Sequence, residues 1–241
     1  MSTEVTHFNK YELHGAYHWE QCSPRERNFN PPLVARYGVV VREVEVRAPI
    51  DSVLDIGCGD GYLMAQVSPF ANEVHGVDPE EQAVDLAKEM LGGDSKSRVV
   101  LGNCYDLPYP DEAFDVVLLA DVIEHLKDDD ACLREIRRVL RRTGTLVVTT
   151  PQWRSDRVWD ERHEREYQSS ELRDLLSRHF ARVDLSFFWP LAWTDFCSTR
   201  IGWRACKLFA RWGYNPFFRE GTTNRPRFGQ LKAVCGAPVQ K

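Results

Sequence analysis

Apolar positions along the chain alternate between short solid runs and stretches with helical spacing. Leu33, Tyr37, Val40, Val41 and Val44 recur at helical spacing and give one apolar face, with Asn30 as a cap and Pro31 and Pro32 opening the helix. The run Val53 to Ile56 predicts a strand, and helix-compatible sequence follows from Tyr62 to Val67. A second strand spans Val74 to Asp78. The next helix runs from about Pro79 to Met90 and is closed by Gly92 and Gly93. Arg98 to Gly102 makes a third strand. Phe114 to Leu119 is apolar almost throughout, as in a strand buried on both faces. A helix from Asp129 to Arg141 has aspartates at its start and arginines at its end, which suits the helix dipole. Gly144 to Thr150 is a fifth strand, stopped by Pro151. Ser169 or Ser170 caps a helix from Glu171 to Phe180. Arg182 to Phe188 is a sixth strand, and Arg227 to Gly236 an antiparallel seventh. Strands alternating with helices predict an α/β fold: a seven-stranded, mostly parallel sheet with helices on both faces.

Chemistry concentrates where the first strand ends. Gly57, Gly59 and Gly61 form a tight turn between strand and helix, where a ligand can approach the main chain closely. Asp78 closes the second strand 17 residues past Gly61, a position from which a carboxylate takes both hydroxyls of a ribose. Dinucleotide folds space their glycines as Gly-x-Gly-x-x-Gly and rest a pyrophosphate on the helix N-terminus. Here the spacing is Gly-x-Gly-x-Gly, with carboxylates at Asp55 and Asp60. These anions repel a pyrophosphate and suit the ammonium and sulfonium of S-adenosylmethionine.

Asp55-Ile-Gly-Cys-Gly-Asp-Gly61, followed by Val77-Asp78, resembles the class I S-adenosylmethionine-dependent methyltransferases of the small-molecule (UbiE/UbiG-like) type, over about residues 50 to 180. The resemblance implies a Rossmann-like sheet with S-adenosylmethionine as cofactor. It places Gly57, Cys58, Gly59, Asp60 and Gly61 beneath the methionine portion. Asp55 is then expected on the ammonium, Asp78 and Pro79 at the ribose, and Asn103, Cys104 and Tyr105 at the adenine. Family members commonly carry an aspartate at the position of Asn103. Phe114 to Leu126 resembles the family's fourth-strand motif and sets Asp121 over the amino-acid end. His163-x-Arg165-Glu166-Tyr167 resembles the segment that borders the acceptor pocket after strand five. The aromatic residues of 1–30, an N-terminal arm or lid, place Tyr17 near the cofactor's carboxylate and His18 and Trp19 at the acceptor, together with Glu166, Tyr167 and Trp153.

Methyl transfer to a hydroxyl also needs a proton acceptor. His163, after strand five, and His125, after strand four, stand at the carboxyl edge of the sheet and are the candidate catalytic residues. No metal-ligand spacing is evident. The expected activity is methylation of a small molecule at oxygen, such as a natural product, sugar or quinone-like acceptor. Nitrogen or carbon methylation, RNA methylation, a nicotinamide-dependent oxidoreductase and a non-catalytic cofactor binder remain as alternatives.

Composition narrows this only modestly. The 241 residues suit one elaborated domain, 31–241, behind the arm 1–30. A net charge of −5 disfavours a general nucleic-acid binder. Seven scattered cysteines without a C-x-x-C favour reduced thiols, and a polar opening without a secretory leader favours the cytoplasm. An insertion at about 190–226 is rich in aromatic and basic residues. From Arg200 to Arg227 it carries seven basic residues (Arg200, Arg204, Lys207, Arg211, Arg219, Arg225, Arg227) against Glu220 alone. Two readings fit it: contact with a membrane surface or lipid-linked substrate, or a cover over the acceptor pocket or a dimer surface. A monomer and a homodimer both remain open.

Overall fold

The computed structural model describes residues 10–223 and 228–239. Residues 1–9 of the arm, and Arg225 and Arg227 of the basic insertion, lie outside the described residues.

Two short helices, α1 (Lys10–His14) and α2 (Tyr17–Cys22), lead into α3 (Pro31–Glu45). Asn30 caps α3 by accepting the backbone N–H of Leu33 at 3.3 Å. Then follow β1 (Ile50–Ile56), α4 (Tyr62–Val67), β2 (Ala71–Asp78), α5 (Glu81–Leu91), β3 (Ser97–Leu101), β4 (Phe114–Ala120), α6 (Asp129–Val139) and β5 (Leu140–Pro151). The chain ends with α7 (Ser169–Ser177), β6 (Phe180–Pro190), α8 (Leu191–Cys197), α9 (Arg200–Arg211), β7 (Glu220–Gly221) and β8 (Phe228–Pro238).

All strands join one sheet in the order β3-β2-β1-β4-β5-β8-β6-β7. The first five are mutually parallel, and β8 runs antiparallel between β5 and β6. Among the described residues the strand count is eight, because the two-residue β7 adds to the edge of β6 through Phe187 and Phe188. Period-two alternation divides the core. Leu54, Val117, Leu119, Leu146 and Val148 pack on the face covered by α6 and α7. Val53, Val116, Leu118 and Val147 pack with Val40, Val44 and Met64 of α3 and α4 on the other. Both faces of the central strands are therefore buried, which is why they read as apolar runs.

Three of the boundaries that differ from the sequence expectation belong to α6 and α7. Helix α6 stops at Val139, because Leu140 pairs with Phe114 as the first residue of β5. Leu140 lies one turn past Ile136, so the helical pattern overruns the helix itself. The cap of α7 is Gln168, which forms a reciprocal capping box with Glu171, in place of Ser169 or Ser170. That helix ends at Ser177, since Phe180 already belongs to β6. At α6 the aspartates do cap, with Asp128 accepting the N–H of Ala131 at 2.8 Å.

The expectation of uniformly reduced thiols also needs correction. Cys197 and Cys206 are joined as a disulfide, their Cα atoms 6.7 Å apart, because the turn at Thr199 folds α9 back on α8. The other five cysteines are unpaired and buried. Among the described residues, no helix is long and apolar enough to cross a membrane.

Candidate active site

A cavity of about 330 Å³ opens at the carboxyl ends of β1, β2, β4 and β5, the edge at which open parallel sheets bind ligands. Its floor is the glycine turn after β1. Gly57, Gly59 and Gly61 have φ of +74°, +56° and +75°, angles that a side chain resists. A Cβ on Gly59 would also collide with the Tyr11 hydroxyl. The turn is held by Gly57 N–H donating to Val77 O at 2.7 Å and by Gly59 N–H donating to Asp78 Oδ2 at 2.9 Å. Glu80 N–H donates to Asp78 Oδ1 at 3.0 Å, so the acid at the end of β2 is fixed from both sides. Burial raises the Asp78 carboxyl above its ordinary value, and these two amides oppose the rise.

Asp55, 2% exposed, lines the cavity and has no side-chain hydrogen-bond partner among the described residues. Burial, and then the nearby Asp78, push its carboxyl well above the ordinary range. A buried carboxylate in that state is stabilised by a cationic ligand group. The arm closes the cavity from above. Asp60 accepts from His18 at both carboxylate oxygens, the backbone N–H and ring Nδ1 each at 3.0 Å, while its backbone carbonyl accepts Trp19 Nε1–H at 2.9 Å. Asp60 thus anchors the lid to the glycine turn.

The opposite wall follows β4 and β5. Asp121 has φ of +53°, a strained value for a non-glycine residue, and is pinned by its N–H to Thr149 O at 3.0 Å. Its carboxylate lies 3.0 Å from Arg36 Nε. Burial raises the Asp121 carboxyl, and Arg36 opposes the rise. Glu124, 1% exposed, accepts from Thr150 Oγ1 at 2.9 Å, and burial pushes it up to about 8. His125 and His163 stand edge to face with ring centres 4.9 Å apart. His163 Nδ1 lies 3.0 Å from Glu166 Oε1, and His125 Nδ1 lies 3.3 Å from Arg162 O.

Of the residues named from sequence, Asp55, Gly57, Cys58, Asp60, Asp78, Pro79, Asn103, Cys104, Asp121, Tyr17, His18, His125 and His163 share this cavity wall. Gly59 and Gly61 shape the turn from behind it. Asn103 uses Oδ1 to accept Tyr105 N–H at 2.8 Å, while Tyr105 itself packs against the core outside the wall. Four acceptor-pocket expectations lie elsewhere. Tyr167 is buried in the core with its hydroxyl donating to Asp129 at 2.8 Å, because the Gln152–Tyr167 bridge turns it under the loop. Trp153, 45% exposed, does not line the cavity. Trp19 is engaged by Asp60, and Glu166 sits behind His163.

Sequence reading missed Arg36, Tyr37, Glu124, Trp159 and Arg162, all in the wall. The signal for Arg36 was present: it is a cation on the apolar stripe of α3, between Leu33 and Tyr37.

A parallel sheet with an antiparallel β8, a glycine turn after β1 and an acid ending β2 define the class I S-adenosylmethionine-dependent methyltransferase fold. The family described as "Methyltransferase domain" matches residues 54–148. A "Probable S-adenosylmethionine-dependent methyltransferase" of Mycobacterium tuberculosis is 36% identical over 146 residues, covering 58% of this chain and 52% of that protein. The ubiquinone biosynthesis O-methyltransferase of Bradyrhizobium diazoefficiens is 36% identical over 107 residues, 43% of this chain and 42% of its own. The chain spans about half the length of the curated relatives it matches. Among solved structures, phosphoethanolamine N-methyltransferase 2 of Haemonchus contortus, in complex with phosphomonomethylethanolamine and S-adenosylhomocysteine, superposes with a TM-score of 0.66. That likeness, at 16% identity, covers 95% of this chain and 58% of the other, and shows the fold. Residues 54–148 are thus similar to a methyltransferase domain, and S-adenosylmethionine is the cofactor to which that similarity points. The site suits that cofactor, since a buried Asp55 carboxylate, without a hydrogen-bond partner among the described residues, lines the cavity where an ammonium is required.

Proposed function

We propose that the protein is an S-adenosylmethionine-dependent methyltransferase acting on a hydroxyl of a small molecule. The observation that carries this reading is the division of the cavity: carboxylates Asp55 and Asp78 on the β1–β2 side, and the Glu124–His125–His163 cluster on the β4–β5 side. Asp55 would hold the cofactor's ammonium, Asp78 its ribose hydroxyls, and the main chain at Asn103 and Cys104 its adenine. Arg36, in the same wall, supplies positive charge for a carboxylate. Bound there, S-adenosylmethionine would supply an electrophilic methyl group on its sulfonium. The chain's own task is to align the acceptor and exclude water, which the arm, tied down through His18, Trp19 and Asp60, performs.

Glu166, fixed by Trp159 N–H at 3.0 Å, holds the Nδ1 proton of His163 and leaves Nε2 as a lone pair able to take the hydroxyl proton. Replacing His163 with alanine is expected to lower kcat by about 100-fold, the scale of a lost acid–base group, with cofactor affinity unchanged. Turnover on a panel of hydroxylated acceptors, read by mass spectrometry, tests this. Equal turnover in the variant removes His163 from the reaction, and methylation of amines alone moves the reading to nitrogen.

A second observation favours an acceptor met at an anionic bilayer surface. Helix α9 exposes Ile201 (80%) and Leu208, followed by Trp212 (76%), along one stripe at i, i+7 and i+11. Arg200 and Arg204 flank that stripe, and α9 contains no acid. This is the pattern of a helix lying in a membrane interface. The protein is expected to co-sediment with phosphatidylcholine/phosphatidylglycerol vesicles, and Trp212→Asp to abolish it. Indifference to the vesicles contradicts the surface reading.

A further inference from the structure

We propose that Glu124, His125 and His163 bind one divalent first-row transition cation at the acceptor end of the cavity. One ligand atom from each residue lies within 4.8 Å of the other two. An ion with bonds of about 2.1 Å sets its ligand atoms about 3.0–3.4 Å apart, so the three side chains would draw together on binding.

A second observation concerns what stands behind the three residues. Arg162 O is a carbonyl and can only accept, so in the 3.3 Å contact His125 Nδ1 is the donor. Glu166 does the same for His163 at 3.0 Å and is itself held by Trp159 N–H. Thr150 Oγ1 donates to Glu124 Oε2 and fixes that carboxylate. Each candidate ligand thus has an outer partner that sets its orientation. Metal-binding imidazoles and carboxylates show this arrangement, with the far ring N–H on a carbonyl or carboxylate.

The donor set also selects the ion. Two imidazoles and one carboxylate suit Zn²⁺, Mn²⁺, Fe²⁺ or Co²⁺, whereas Mg²⁺ and Ca²⁺ take oxygen ligands. Three protein ligands leave positions toward the cavity, where a cation would hold and polarise an acceptor hydroxyl. In that role the proposal rests on the methyltransferase reading: without the cation His163 is the base described above, and with it His163 would be a ligand while the cation would acidify the hydroxyl. As a binding site it stands on the geometry alone. Sequence spacing gave no hint, because His163 joins Glu124 and His125 only when the loop after β5 folds back across β4.

The test is titration of metal-stripped, full-length protein with Co²⁺, followed by visible absorbance, and with Zn²⁺, followed by calorimetry. One equivalent is expected to bind saturably. His125→Ala and Glu124→Gln should each weaken uptake at least about tenfold, and Glu166→Ala about tenfold through loss of orientation. S-adenosylmethionine affinity should be unchanged in His125→Ala, which confirms that this variant is folded. Absence of saturable uptake overturns the proposal, as does equal uptake by wild type and His125→Ala. Cation binding without any S-adenosylmethionine binding would sink the methyltransferase reading and leave the cation site standing.

Discussion

Replacing Asp78 with alanine is expected to weaken S-adenosylmethionine binding by about 100-fold. The carboxylate ends β2 at the cavity floor, fixed by Gly59 N–H and Glu80 N–H at 2.9 and 3.0 Å. Each oxygen keeps a lone pair for a ribose hydroxyl, and a hydrogen bond to a charged acceptor contributes about 1.5–3 kcal/mol. Losing two such bonds accounts for at least two powers of ten. The substitution also strands two amide donors, so the apo variant should melt earlier than wild type. Calorimetric titration at a temperature where circular dichroism shows the variant folded separates the two effects. Cofactor affinity equal to wild type would remove Asp78 from the ribose site.

Arg36→Ala is the second large effect, and it acts on stability. Arg36 Nε and Asp121 Oδ2 are 3.0 Å apart, with side chains 29% and 10% exposed, and the exposed part faces the cavity. Removing one partner of a fully buried ion pair costs about 3–5 kcal/mol, because the other charge is left without compensation. Partial solvent access at Arg36 reduces this, so a loss of about 2 kcal/mol in urea unfolding is expected. The double variant Arg36→Ala/Asp121→Asn should recover part of the loss, since the orphaned charge is then gone. Single and double variants of equal stability would show that the pair is not coupled.

Much of the scaffold was legible in the sequence. Strands buried on both faces, such as Phe114–Ala120, announce themselves as apolar runs. Glycines at left-handed φ announce the turn after β1, and Asp78 follows at a distance fixed by one intervening helix and strand. What escaped depends on packing between distant segments. His18 meets Asp60 across 42 positions, a contact no local pattern encodes. Arg36 joins the site because α3 lies across its mouth. Tyr167 carried the right chemistry and the wrong direction, since the bridge to Gln152 turns its ring into the core. Leu140 kept helical spacing while pairing as a strand. The Cys197–Cys206 link depends on a turn that composition alone does not reveal.

Thermal unfolding in the presence of S-adenosylmethionine, S-adenosylhomocysteine, NAD or NADP tests the central claim most directly. At a hundredfold excess over Kd a native-state ligand adds about 2.7 kcal/mol, which raises the midpoint of a chain this size by about 5–10 °C. The adenosyl compounds are expected to give that shift and the nicotinamides none. A shift with NAD or NADP and none with S-adenosylmethionine would contradict the assignment of this cavity to methyl transfer.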